Sequence, residues 1–299
     1  KELSEAELLY RDQNDFISKY TRVIEYFDAV RIGLTATPAI HTTKIFGEAV
    51  FTYSYREAVI DGYLVDYDAP HIIKTELNQN GIHHKKGETL ARYNPVTKEL
   101  LNPAELEDEV DFEVEVFNKN VITDSFNDVV LQELSKYIDP VGEEKTIIFA
   151  VNDQHAETIV KKLRKIYEEQ DIPGKVVEKI TCAIGDRNRV QDAIKRYKNE
   201  HYPTIAVTVD LLSTGIDVPE ITKIVFMRRI KSRILYEQML GRATRLCPKI
   251  GKTHFDIFDA VDLYSYLNKV SSMKPVVTNP KETFDKLFAD QIQELDLSD

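Results

Sequence analysis

Beyond Phe126 the chain alternates short apolar, β-branched runs with longer amphipathic stretches, and this texture constrains its fold more than any other feature. A helical period covers 126–138, 154–170, 187–198 and 232–243. Strand-like runs cover Thr146 to Ala150, Val176 to Thr181, Thr204 to Val209, Ile221 to Met227 and His254 to Phe258. A continuously apolar strand has no polar face to offer water, so a sheet of such strands must be covered on both sides, and helices connecting successive strands supply the cover. The pattern predicts an α/β domain over 126–275, built on a parallel sheet whose ligands sit beyond the carboxyl ends of its strands.

Upstream the texture differs. Residues 4–26 read as a helix with Ser4 as N-cap and Glu7 at capping-box spacing, Ala29 to Leu34 as a buried strand stopping in the turn Thr35-Ala36-Thr37-Pro38, and 55–64 as a short helix. Between 66 and 125 turn signals accumulate at Asn80-Gly81, Asn94-Pro95 and Asn102-Pro103, and residues 99–115 hold eight acidic side chains and no basic one. This stretch is expected to be an acidic, solvated connecting region, with His83 and His84 in a turn. Residues 276–299 are expected to be a tail leaving the domain.

A chain of 299 residues, 42% hydrophobic and 30% charged, has room for roughly two domains. That balance excludes a disordered or collagen-like chain. Two cysteines, Cys182 and Cys247, make no disulfide framework and no metal spacing, which suits a cytoplasmic setting. No run reaches the ~18 apolar residues of a membrane span. The chain opens on Lys-Glu-Leu-Ser-Glu without an initiator Met, and is expected to be a piece of something longer. The net charge of −11 argues against a uniformly basic nucleic-acid binder. It averages opposed regions, however: residues 223–252 hold nine basic side chains against the single acid Glu237.

The densest polar constellation lies in that basic stretch, at Gln238-Met239-Leu240-Gly241-Arg242-Ala243-Thr244-Arg245. On a continuous helix Gln238, Arg242 and Arg245 share one face, and Gly241 permits close approach beside them. Two guanidiniums held with an amide suit an oxyanion that gains charge during reaction; a solvated basic helix face has the same composition. Before this helix a β-branched strand, Val207-Thr208-Val209, runs into Asp210-Leu211-Leu212-Ser213-Thr214-Gly215-Ile216-Asp217-Val218-Pro219, where Gly215 permits φ > 0 and Asp217 can accept from a ribose hydroxyl or brace an arginine.

Four segments in order resemble motifs of superfamily 2 helicases: Gly33 to Pro38 (GLTATP) motif III, Thr146 to Ala150 (TIIFA) motif IV, Val207 to Pro219 motif V, and Gln238 to Arg245 (QMLGRATR) motif VI. The longer phrases YREAVIDGYLVDY, DLLSTGIDVPEI and KSRILYEQMLGRATR are similar to the motor (R) subunit of type I restriction enzymes. The resemblance implies a RecA-like fold: residues 1–65 a remnant of a first RecA-like domain, 66–125 an insert, and 126–275 the second.

It further implies that Arg245, Arg242 and Gln238 act on the γ-phosphate of ATP, with Arg245 the arginine finger. Gly215, Asp217 and Gly241 would line the nucleotide, and Thr35, Thr37 and Thr208 would contact nucleic acid or couple it to nucleotide state. The function so implied is an ATP-dependent double-stranded DNA translocase working with methyltransferase and specificity subunits and a nuclease domain, with no membrane. Alternatives are a repair-type superfamily 2 helicase and a non-catalytic RecA-like module. The phosphate loop GxxxxGK[ST] and the Asp-Glu-x-His run that hold ATP and Mg²⁺ in the family do not occur in these residues. Gly251-Lys252-Thr253 imitates the end of the loop, but an apolar strand-like run follows it where the loop requires a helix.

Overall fold

The computed structural model describes residues 21–35, 45–73, 82–84, 89–93, 100–105, 110–112, 124–209, 217–230, 233–267 and 271–276. The chain divides into two compact units, Lys1–Ser54 and Tyr55–Asp299. In the first, residues 21–25 are helical, while 29–34, expected as a strand, adopt no regular structure. Val30, Ile32 and Leu34 stand exposed there. A strand exists only through the ladder it shares, and among the described residues nothing pairs with this run.

The second unit holds α1 (Tyr55–Ile60), β1 (Asp66–Tyr67), β2 (His71–Ile72), β3 (Ile82–His84), β4 (Thr89–Tyr93), β5 (Leu100–Glu105) and β6 (Val110–Phe112). There follow α2 (Asp124–Leu134), β7 (Lys145–Phe149), α3 (Asp153–Glu168), β8 (Val177–Lys179), α4 (Arg187–Asn199) and β9 (Ile205–Thr208). The last elements are β10 (Ile221–Phe226), α5 (Arg233–Leu240), β11 (His254–Asp259) and α6 (Tyr264–Leu267).

The main sheet has seven strands in the order β1-β11-β10-β7-β9-β8, with β2 also on β11, and every pairing is parallel. Side chains alternate faces along a strand, and both faces are apolar. Ile147, Phe149, Ile224, Phe226 and Ile257 pack against α4 and α5 through Val190, Ala193, Tyr197, Tyr236, Met239 and Leu240. Ile148, Val207, Val225 and Phe258 pack against α2 and α3 through Phe126, Leu131, Ile159 and Leu163. The split has a topological cause. The steps β2→β7 and β7→β8 advance toward the β8 edge, and their helices α2 and α3 share a face. The steps β8→β9 and β10→β11 run the other way, and α4 and α5 share the opposite face. A fixed right hand for every crossover requires this arrangement. This is the RecA-like α/β architecture expected of the region.

Helix starts are specified locally: the Asn152 side chain accepts from His155 N at 2.8 Å and the Asp186 side chain from Arg189 N at 3.0 Å. Such caps each contribute about 1 kcal/mol.

Two boundaries differ from the sequence expectation. The first unit ends at Ser54, so 55–65 belong with the second unit. Residues 66–67 and 71–72 are strands of the main sheet, which gains them because β11 otherwise presents an open edge. Within 82–112, β3 pairs with β6 and β4 with β5, so His83 and His84 lie on a strand instead of in a turn. A register shift opposite Leu90 to Arg92 absorbs Asn102-Pro103, where proline has no N–H for the ladder.

Candidate functional site

The segments carrying the motif V-like and motif VI-like residues meet at the amino-terminal ends of β10 and β11. Helix α5 stops at Leu240, short of the predicted 243. Gly241 N still reaches Glu237 O at 2.9 Å, but Arg242 N bonds Met239 O (3.2 Å) and Ala243 N bonds Leu240 O (3.0 Å), an i−3 pattern that tightens and ends the helix. A Cβ on Gly241 would stand 3.3 Å from Glu237 O, so glycine eases this turn. The backbone then straightens: Val65 N donates to Thr244 O at 2.8 Å, and Leu64 bridges Arg245 in antiparallel fashion. Gln238, Arg242 and Arg245 therefore do not share one helix face, because the helical repeat ends between them. Gln238 is exposed on α5.

Arg245 instead meets Asp217. Its Nε lies 2.5 Å from Asp217 Oδ1, and its Nη1 donates to Gly241 O at 3.2 Å. Burial and the adjacent Arg245 charge push the Arg242 guanidinium below its usual range, with Asp217 partly offsetting them. Two guanidiniums and one carboxylate thus leave a net positive spot, suited to an anion.

Lys252 underlies this cluster. Its Nζ donates to Pro219 O (3.0 Å), Ile221 O (2.5 Å) and Ala243 O (2.7 Å). Burial pushes it down to about 8, against the three carbonyl dipoles that favour the cation. All three ammonium donors are used on backbone, and β11 follows, so Gly251-Lys252-Thr253 is a structural turn and no phosphate loop.

Glu237 is buried on α5. It pairs with Arg233 at 2.7 Å and accepts from Ser271 Oγ (3.1 Å), Ser272 N (2.6 Å) and Ser272 Oγ (2.9 Å). The same C-terminal stretch is held by Tyr67 Oη donating to Met273 O (2.5 Å) and by Val276 N donating to Asp66 Oδ2 (2.7 Å). Sequence reasoning passed over Glu237 and assigned Lys252 no role. The available signal for Glu237 was a lone acid in a basic run, four residues after Arg233 on an amphipathic helix.

The other expected site residues fare variously. Asp217, Gly241, Arg242 and Arg245 come together. Thr208, expected to contact nucleic acid, is fully buried at the end of β9, a strand covered on both faces. Thr35 is exposed in the first unit. Gly215 and Thr37 lie outside the described residues. The cluster also lies at the amino ends of the strands, where the general rule for open sheets placed ligands at the carboxyl ends; its residues sit on the segments that enter β10 and β11. Tyr67 is fully buried and Tyr63 is exposed. Among the described residues no group of three or more His, Cys, Asp or Glu is placed to hold a metal ion. No described helix is long and apolar enough to cross a membrane.

Residues 129–247 match the helicase conserved C-terminal domain. The chain is 49% identical over 284 residues, 94% of its length, to the EcoKI type I restriction endonuclease subunit of Escherichia coli K12, and covers 24% of that protein. It is 29% identical over 251 residues, 81% of its length, to the EcoAI endonuclease subunit of Escherichia coli, covering 29% of it. The chain thus spans about a quarter of the length of the curated relatives it matches. Among solved structures it resembles a fragment assigned to the HsdR subunit of a type I restriction enzyme from Vibrio vulnificus YJ016. That likeness has a TM-score of 0.62 and 25% identity, over 86% of this chain and 45% of that one.

Proposed function

We propose, for a chain that is a superfamily 2 segment of the type I restriction R-subunit kind, that it forms motor machinery coupling ATP hydrolysis to movement along double-stranded DNA ahead of cleavage. The observation that carries this reading is the Asp217–Arg245 pair. It joins the two motif-like segments and holds a guanidinium beside Arg242 in a positive, half-buried spot, the arrangement that stabilises charge on a transferring phosphoryl group.

In this reading ATP binds against the Arg242/Arg245 cluster. Gln238 and Gly241 position the nucleotide and Gly215 lines it. Asp217 orients Arg245, and Arg245 meets the γ-phosphoryl oxygens. Thr35 and Thr37 couple nucleotide state to the DNA contact. The described residues offer no cluster that fits Mg²⁺, so the metal enters no step assigned to them. The setting is cytoplasmic, and the partners are double-stranded DNA with the methyltransferase and specificity subunits of a restriction complex. Residues 1–299 alone, holding no GxxxxGK[ST] sequence, should hydrolyse no ATP.

Arg245→Ala in the intact protein tests the reading. Near loss of DNA-stimulated ATP hydrolysis with an unchanged thermal melt supports it, and turnover at the wild-type rate sinks it.

A further inference from the structure

We infer that Lys252 is a positioning residue for Arg245, acting by tying together the two backbone segments that carry the Asp217–Arg245 pair. The inference rests on the ATPase reading above and adds a residue to it.

The geometry is nearly symmetric about the pair. Lys252 Nζ bonds the carbonyl of Pro219, two residues after Asp217, and the carbonyl of Ala243, two residues before Arg245; its third bond holds Ile221, the first residue of β10. Asp217 fixes the Arg245 side chain at Nε, while Lys252 fixes the separation of the two main chains from which that contact is made. Neither anchor suffices alone. Asp217 is about half exposed, and an exposed ion pair by itself holds geometry weakly. Lys252 is buried with every donor engaged, so its tie is rigid. The turn before it aims it inward: Gly251 takes the left-handed conformation at φ 64°, and Lys252 N returns to Cys247 O at 3.2 Å. A guanidinium that stabilises developing charge must already be in place when the charge appears, and small displacements are costly in rate.

Lys145 supplies an internal control. It too is a buried lysine whose Nζ caps three carbonyls, those of Glu200 (2.9 Å), His201 (3.3 Å) and Pro203 (3.0 Å), none of which belongs to the arginine cluster. Losing either ammonium strands three acceptors, so a merely structural role predicts equal consequences for both.

The experiment compares Lys252→Met and Lys145→Met in the intact protein by DNA-stimulated ATP hydrolysis and thermal melting. Lys252→Met should lower kcat by at least about tenfold with KM for ATP within about twofold, and Lys145→Met should leave kcat near wild type at a similar loss of Tm. In an Asp217→Ala background, Lys252→Met should cost little further kcat, since both act through Arg245. Wild-type kcat in Lys252→Met, an equal loss in Lys145→Met, or full multiplicativity with Asp217→Ala overturns the inference. If Lys252→Met does not fold, Lys252→Gln, which keeps two donors, carries the same comparison. Wild-type turnover in Arg245→Ala instead overturns the ATPase reading itself, so the two failures are distinct.

Discussion

Glu237 and Ser272, on opposite sides of β11 in the sequence, are joined by two hydrogen bonds, from Ser272 N at 2.6 Å and Ser272 Oγ at 2.9 Å to one carboxylate oxygen. The other oxygen takes Arg233 at 2.7 Å. A buried carboxylate with this many donors is a structural hub. Glu237→Ala removes the acceptor that Arg233, Ser271 and Ser272 share and should cost about 3–5 kcal/mol in urea unfolding, with Glu237→Gln milder. A loss under about 1 kcal/mol for Glu237→Ala would contradict the hub.

Asp217→Asn should separate catalysis from stability. The Asp217–Arg245 pair is partly exposed on both sides, so its loss should change unfolding free energy by less than about 1 kcal/mol. In the intact protein kcat for ATP should nonetheless fall severalfold, because Arg245 loses its orienting partner. Unchanged kcat would detach the pair from the reaction.

Acid should destabilise the domain through His155. Fully buried, it accepts from Val151 N at Nδ1 (3.2 Å) and donates from Nε2 to Asn127 Oδ1 (3.0 Å), and burial pushes it down to about 3. An unfolded histidine titrates near 6.5, so between pH 6.5 and 3 the unfolded chain binds the extra proton. The contribution is complete above pH 6.5 and is lost as pH falls through that window, by at most about 4–5 kcal/mol. Urea midpoints measured from pH 7 to 4 should fall, and His155→Gln should flatten the slope.

Phe226→Ala should be among the costliest core changes. Phe226 ends β10 in the middle of the sheet, stacks on Phe149 at 5.7 Å between ring centroids and lies against Tyr236 of α5. The expected loss is about 3–5 kcal/mol by denaturant unfolding. It should exceed that of Val129→Ala, whose side chain is exposed on α2.

Much of this protein is legible along the chain. The apolar runs at Thr146, Ile221 and His254 and the amphipathic helices between them each became the predicted element within a few residues, because hydrophobic period reflects which side of one element meets the core. The motif-like phrases pointed to Gln238, Arg242 and Arg245 on one helix face with Asp217 beside the nucleotide; the structure pairs Arg245 with Asp217 and ends the helix between Gln238 and the arginines. Residues 29–34 show the limit: an apolar, β-branched run resembles a strand wherever it occurs, but only a neighbouring ladder makes it one.

What the sequence determined by itself is the α/β class, the two-faced sheet and the identity of the polar residues that could do chemistry, since these depend on local period and side-chain type. Only the tertiary structure decided how they are used. It ended α5 at Leu240, bridged Arg245 to Leu64, brought 66–67 and 71–72 onto β11, and aimed Lys252 at carbonyls from two distant segments. The physical reason is common to all four. Whether a strand pairs, or a charge can be buried, depends on partners that chain folding brings from far away, and no local pattern encodes their distance.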